Sequence, residues 1–186
     1  MDIETEKKRL REMMREKLRA QSPLERKNKS TQIAIKLRKD SGFLNAKTIL
    51  FYMNNTEEVE TREIIESSLL RKVIVALPRT NSAASEIVPH LVRDLSNLKA
   101  GSYGILEPEN NQETILKADK IDLVIVPGLA FDESRYRLGR GKGYYDRFLA
   151  KLPRHVKTFA LAYDFQIVKS LPVTELDFPV TRVFHN

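Results

Sequence analysis

The stretch from Ile121 to Leu149, IDLVIVPGLAFDESRYRLGRGKGYYDRFL, limits what this chain can fold into more than any other. Leu123 to Val126 is an unbroken apolar run rich in β-branched residues, the pattern of a strand buried on both faces. Pro127 and Gly128 stop it. After an irregular segment come glycines at alternate positions, Gly139, Gly141 and Gly143. Tyr144, Tyr145, Phe148 and Leu149 then fall at spacings that suit the apolar stripe of a short helix. The glycines therefore lie between the end of a buried strand and the start of a helix, where α/β proteins place ligands.

The charges of this loop narrow the ligand. Arg135, Arg137, Arg140, Lys142 and Arg147 stand against one acid, Asp146. Glycines let backbone N–H groups approach an anion closely, and a helix N-terminus adds partial positive charge. Arg140 and Lys142 are placed to reach phosphate oxygens, and Asp146 to hold a metal on them. The residues read as a polyphosphate site with Mg²⁺. A solvated turn, or an RNA-binding segment with interleaved aromatics, is the competing reading. The spacing fits neither a Walker A loop nor a Rossmann fingerprint.

At 186 residues the chain reads as one domain, 1–186, which buries roughly 70% of the surface its unfolded form exposes. Its formal net charge of +7 favours anionic partners, nucleic acid or small polyanions. It has no cysteine, which excludes disulfides, thiolate metal sites and thiol catalysis. The charged N-terminal residues carry no apolar signal core, and no run approaches a membrane span; a cytoplasmic protein is expected.

Periodicity gives a helix over residues 4–20, with Leu10, Met14 and Leu18 inward. The rest of that helix reads as a solvated face on which Glu12 and Glu16 lie beside Lys8, Arg15 and Arg19. Ser22-Pro23-Leu24-Glu25 is a capping box opening a helix to about Lys39, with Gly42 as its terminator. Thr48–Met53 is a strand, and Thr61 an N-cap for a helix bearing Ile64, Ile65, Leu69 and Leu70. Val73–Leu77 is a second strand, ended by Pro78-Arg79. Glu86–Val92 is an edge strand because of Pro89. Tyr103–Pro108 is an extended segment and Gln112–Lys117 a helical turn. Thr158–Tyr163 is a strand, Gln166–Leu171 a short helix or turn, and Val180–Phe184 a last strand. Alternating strands and helices give an α/β fold, a three-layer helix–sheet–helix sandwich around a mostly parallel mixed sheet. The edge strands, at Pro89 and at the C-terminus, are expected to run antiparallel. His90, His155 and His185 lack ligand spacing and are expected at the surface or in loops. Asp132 and Asp164 read as turn formers.

PGLAFD followed by RLGRGKGYYDRFL resembles the signature of the 5-formyltetrahydrofolate cyclo-ligase family, and the resemblance extends over nearly the whole chain. KKRLR, Lys7 to Arg11, is similar to the family's N-terminal K-x-x-x-R. EVET, Glu58 to Thr61, is similar to its acidic motif after the first strand. LPR (Leu77–Arg79), GILEP (Gly104–Pro108) and ELDFPV around Asp177 are further points of likeness. Thr80 stands where many members carry an aromatic, and the turn before RLG is Ser134-Arg135-Tyr136 rather than one containing glycine.

The resemblance implies a cytoplasmic, monomeric enzyme that closes 5-formyltetrahydrofolate to 5,10-methenyltetrahydrofolate, with ATP as co-substrate, Mg²⁺ as cofactor and no nucleic-acid or membrane partner. It implies nucleotide contacts from Lys7, Arg11, Arg137, Leu138, Gly139, Arg140, Gly141, Lys142, Gly143, Tyr144 and Tyr145. It implies folate contacts from Met53 and Glu58 together with Arg140 to Tyr144. Asp146 and Asp177 match the family's metal carboxylates, and Arg140 and Lys142 would neutralise the transferred phosphoryl group. A different enzyme on a similar fold, binding phosphate without ATP, is the remaining alternative, because fold does not fix function.

Overall fold

A computed structural model describes residues 2–81, 84–101 and 104–186. In chain order the elements are α1 (Ile3–Ala20), α2 (Pro23–Leu37), α3 (Ser41–Asn45), β1 (Thr48–Leu50), α4 (Arg62–Leu70), β2 (Ile74–Asn81), β3 (Glu86–Val92), β4 (Lys99–Ala100) and β5 (Leu106–Glu107). They continue with β6 (Leu123–Val126), β7 (Ala130–Asp132), β8 (Arg137–Leu138), α5 (Tyr144–Ala150), β9 (Lys157–Ala162), β10 (Ile167–Val168) and β11 (Arg182–His185). Among the described residues the central sheet has six strands in the order β11-β9-β6-β1-β2-β3. All its pairings are parallel except β2 with β3.

Alternation along the strands divides the core in two. Ile49, Val75, Leu77, Leu123, Ile125, Phe159 and Leu161 face α1, α2 and α4 through Leu10, Met14, Leu18, Ile33, Leu37, Ile64 and Ile65. Their neighbours Leu50, Ala76, Val124, Val126, Ala160 and Ala162 face the other way, onto Phe148 and Leu149 of α5 and onto Val180. The three layers follow from this division: a period of two puts alternate residues on opposite faces, and both faces are covered. The β6 side chains are all buried, as their unbroken apolar run requires.

Several boundaries differ from the sequence reading. α2 stops at Leu37, and Gly42 does not terminate it. Instead Asp40 Oδ1 accepts from Gly42 N (2.8 Å) and Phe43 N (3.1 Å) and starts α3. β1 ends at Leu50, and residues 51–53 continue as buried non-sheet chain. β2 runs on through Pro78 to Asn81. There β1 has already ended and the register partner is Pro89, so a proline pair fits where neither residue is asked for an N–H. β3 is the antiparallel edge that Pro89 called for, but β11 pairs in parallel with β9. Gln112–Lys117 shortens to a 3₁₀ turn at Gln112–Thr114. The expected helix or turn at Gln166–Leu171 is a 3₁₀ turn at Asp164–Gln166 followed by β10, which joins β7 and β8 in a small sheet. Tyr103 lies outside the described residues.

His155 and His185 are exposed, but His90 is buried on β3, with Nδ1 2.9 Å from Thr114 Oγ1. Burial, then the Arg79 charge, holds its pKa below the ordinary imidazole value. A histidine on a two-faced strand is packed by its neighbours regardless of its polarity. Asp132 does organise a turn: Oδ1 accepts from Tyr136 N at 2.9 Å and Oδ2 from Leu171 N at 3.0 Å. Arg135, in place of the family's glycine-containing turn, takes the glycine-like φ of +69° and is held there by Nη1 donating to the Thr181 carbonyl. No described helix is long and apolar enough to cross a membrane.

The two-faced core gives a stability test. Ile125→Ala, at a fully buried position, is expected to lower the unfolding free energy by about 2–5 kcal/mol. Ile74→Ala, half exposed on the same sheet, is expected to cost under about 1 kcal/mol. Urea midpoints at unchanged slope measure both.

Candidate functional site

β1 lies between β6 and β2, so the chain leaves it to opposite sides in the sheet. The loops that follow β1 and β6 diverge there, and a crevice opens at the carboxyl ends of these strands. A cavity of about 540 Å³ occupies it. From the β1 end come Tyr52, Met53, Asn55, Thr56, Glu57 and Glu58; from β2 and β3, Pro78, Thr80 and Ile87; from the β5 region, Ile105, Leu106 and Glu107. Pro127 and Gly128 follow β6, and the glycine loop with the start of α5 supplies Arg137, Gly139, Arg140, Lys142, Gly143, Tyr144, Tyr145 and Asp146. Arg15 and Arg19 of α1 close the rim.

The segment after β1 is held by its own polar side chains. Asn55 Oδ1 accepts from Glu57 N (2.8 Å) and Glu58 N (3.1 Å), turning both acids toward the cavity. Tyr52 Oη donates to the Val59 carbonyl (3.0 Å), and Tyr163 Oη to that of Glu58 (3.0 Å). Thr61 precedes α4 as expected but makes no side-chain cap; its Oγ1 donates to the Tyr52 carbonyl at 2.8 Å and ties the two ends of the segment together.

The glycine loop is fixed at both ends and from α1. Gln166 Nε2 donates to the carbonyls of Gly128 (2.9 Å) and Leu129 (3.0 Å). Arg11 Nε donates to the Gly139 carbonyl (3.1 Å) and Arg15 Nη2 to that of Arg140 (3.3 Å). Gly141 has a φ of +105°, where a Cβ is strongly disfavoured, and at Gly143, with φ of +67°, a Cβ would also lie 2.7 Å from Arg147 Nη1. Arg147 Nη2 donates to the Lys142 carbonyl at 2.8 Å, and its guanidinium lies 5.6 Å from the Tyr144 ring centroid.

Each of the three expected ligand-binding acids is paired with an expected ligand-binding cation. Glu58 Oε1 accepts from Arg140 Nη2 (3.0 Å) and Nε (3.3 Å), although 82 residues separate them in sequence. Asp146 Oδ1 accepts from Arg137 Nη2. Arg137 is buried on β8, its guanidinium 5.6 Å from the Tyr145 ring centroid and its Nη1 donating to the Pro127 carbonyl. Asp177 Oδ2 accepts from Lys7 Nζ (2.6 Å), Thr174 N (2.7 Å) and Thr174 Oγ1 (2.9 Å). Burial pushes the Asp177 carboxyl up, but Lys7 and the Thr174 donors outweigh it and hold the pKa below the ordinary aspartate value. Burial, then the Glu58 charge, raises the Tyr145 hydroxyl well above its ordinary value against the pull of Arg137, so this hydroxyl stays protonated.

The structure thus brings Met53, Glu58, Arg137, Gly139, Arg140, Lys142, Gly143, Tyr144, Tyr145 and Asp146 to one cavity. Lys7, Arg11, Leu138, Gly141 and Asp177 are not among the lining residues: Leu138 is buried, Arg11 and Gly141 pack on each other, and Lys7 and Asp177 pair with one another. Sequence reasoning missed Arg15, Arg19 and Glu57. Arg15 is half-buried and turns to the Arg140 carbonyl, and Arg19, exposed as expected of that face, reaches Glu57. Lys7, Arg11, Arg15 and Arg19 recur at four-residue spacing, a signal that could have marked one cationic edge of the helix.

Comparison with known proteins identifies a family for the chain. The model of the 5-formyltetrahydrofolate cyclo-ligase family matches residues 3–186. The 5-formyltetrahydrofolate cyclo-ligase of Mus musculus is 32% identical, covering 98% of this chain and 95% of its own. That of Escherichia coli K12 is 30% identical over 92% and 95%. The solved 5,10-methenyltetrahydrofolate synthetase of Aquifex aeolicus superposes with a TM-score of 0.84 at 30% identity, covering 96% of this chain and 89% of that one.

The Lys7–Asp177 pair gives a pH test. Lys7→Met leaves a mostly buried carboxylate with only its Thr174 donors and is expected to cost about 3 kcal/mol at pH 7. A depressed carboxyl pKa contributes stability above the unfolded value near 4 and loses it as pH falls through the folded value. The gap between wild type and variant in urea melts is therefore expected to shrink below about pH 4.

Proposed function

The chain belongs to the 5-formyltetrahydrofolate cyclo-ligase family, and we propose that it converts 5-formyltetrahydrofolate to 5,10-methenyltetrahydrofolate with ATP and Mg²⁺, giving ADP and phosphate. The observation that carries this is the joining of Glu58 and Met53 to Arg140 and Lys142 around one cavity. An acid suited to pterin N–H groups and cations suited to phosphates then face the same reacting atoms.

The chemistry explains why both are needed. A formamide oxygen is a poor leaving group. Attack of that oxygen on the γ-phosphorus forms an O–P bond as the bond to ADP breaks. The second folate nitrogen then attacks the activated carbon and gives up its proton, phosphate departs with that proton and the former formyl oxygen, and the ring closes. Phosphoryl transfer needs positioning and charge neutralisation more than covalent help. Arg140 and Lys142 would neutralise the transferred group. Glu58 would accept from the pterin, with Met53 and the apolar wall of Ile87, Ile105 and Leu106 against its ring. Gly139 to Tyr145, with Lys7, Arg11 and Arg137, would hold the nucleotide.

Asp146 fits Mg²⁺, since a carboxylate at the cavity wall is the oxygen donor this cation takes. Asp177 would join it by exchanging Lys7 for the ion, which would leave Lys7 free to meet phosphate. Bound Mg²⁺ would neutralise triphosphate oxygens. The reading is of a monomer working as a single domain over residues 1–186, in the cytoplasm. The partners in this reading are the two small molecules, with no nucleic acid and no membrane.

The test is absorbance at the ultraviolet band of the methenyl product. A rise that requires 5-formyltetrahydrofolate, ATP and Mg²⁺ together is expected, falling roughly 10²–10³-fold in Lys142→Ala. A folded protein that gives no rise overturns the proposal.

A further inference from the structure

Arg140 does not meet Glu58 alone. Glu57 Oε2 lies 3.7 Å from Arg140 Nη2, while Glu57 Oε1 accepts from Arg19 Nε at 3.0 Å. One carboxylate is thus shared unequally between two guanidiniums, the closer contact going to Arg19. Both acids are anchored through their backbone N–H groups on Asn55, so Glu57 can respond only by turning its side chain. Its carboxylate is mostly buried, whereas Arg19 is mostly exposed.

We propose that the Arg19–Glu57 pair sets how much of the Arg140 charge is available to the phosphates of the nucleotide. Glu57 and Arg19 are positioning residues that act through Arg140, and the inference rests on the nucleotide reading above. Removing the Glu57 charge takes a competing anion away from Arg140. Removing Arg19 does the reverse, because Glu57 is released to turn wholly onto Arg140. When the pterin engages Glu58, Arg140 loses its nearest acid and Glu57 becomes the remaining one, so the pair matters most in the ternary complex. Because the contacts are partly exposed, the effect is graded.

The two substitutions therefore have opposite signs, which a merely structural role would not produce. Calorimetric titration of the full chain with ADP and Mg²⁺ at low ionic strength reads them. Relative to wild type, Glu57→Gln is expected to bind about two- to fivefold tighter and Arg19→Gln about two- to fivefold weaker. The double variant is expected to match Glu57→Gln, because Arg19 acts only through Glu57. Arg19→Lys keeps charge without the planar fork and should fall between wild type and Arg19→Gln. Urea midpoints identify any variant that has lost its fold. Shifts of the same sign, no shift in folded variants, or a double variant that binds more weakly than Glu57→Gln, at the wild-type level or below, would each overturn the proposal. A wild-type chain that fails to bind ADP at all removes the nucleotide reading itself, a result distinct from those three.

Discussion

The placement of β1 between two parallel neighbours is the constraint on which the rest of this molecule depends. A three-residue strand with every side chain buried has no free edge and no wet face. The segment that follows it leaves at the carboxyl end, and its parallel partners β2 and β6 deliver their own loops to the same end. The crevice is therefore a property of strand order, and the cavity walls are the segments that strand order gathers: 52–58, 78–80 and 127–146. The chemistry of the site then depends on how each segment is tied down. Asn55, Tyr52 and Thr61 bind the first to itself, and Gln166, Arg11 and Arg15 bind the last to the body of the protein.

A basic protein gathering this many cations at one place faces self-repulsion, and pairing is how it is relieved. Glu58, Asp146 and Asp177 each accept from a cation that the proposed reaction would turn toward phosphate. Charges held in such pairs are already oriented, so ligand binding exchanges partners instead of ordering free side chains. The exchange costs less than building the same contacts from solvated groups, because part of the desolvation is complete before the ligand arrives.

Much of the fold was legible locally. Apolar periodicity marked α1, α2 and α4; the Ser22–Glu25 capping box forms as read; Pro89 marked an edge strand; and the four apolar residues of β6 marked a central one. Local signals failed where a distant partner decides. Pro78 ends a strand only if a neighbour wants its N–H, and here the neighbour is another proline. Gly42 lost its expected role to Asp40, whose side chain caps a helix too short to show periodicity. The parallel course of β11 depends on the connection after β9 crossing back to that strand's amino end.

The candidate site divides the same way. Gly139, Gly141, Gly143, Arg140 and Lys142 are contiguous and could be read as an anion loop beside a solvated turn or an RNA-binding segment, because glycine conformation and cation charge are properties of the residues themselves. Glu58 was legible as an acid at a strand end, but that it faces Arg140 was not. The tertiary structure alone decided the sharing of Glu57 between Arg19 and Arg140, the withdrawal of Asp177 onto Lys7, and the turning of Arg15 to a loop more than a hundred residues away. Composition fixes how many charges a chain carries, but the energy of a charge depends on its neighbours within a few ångströms, and only folding chooses them.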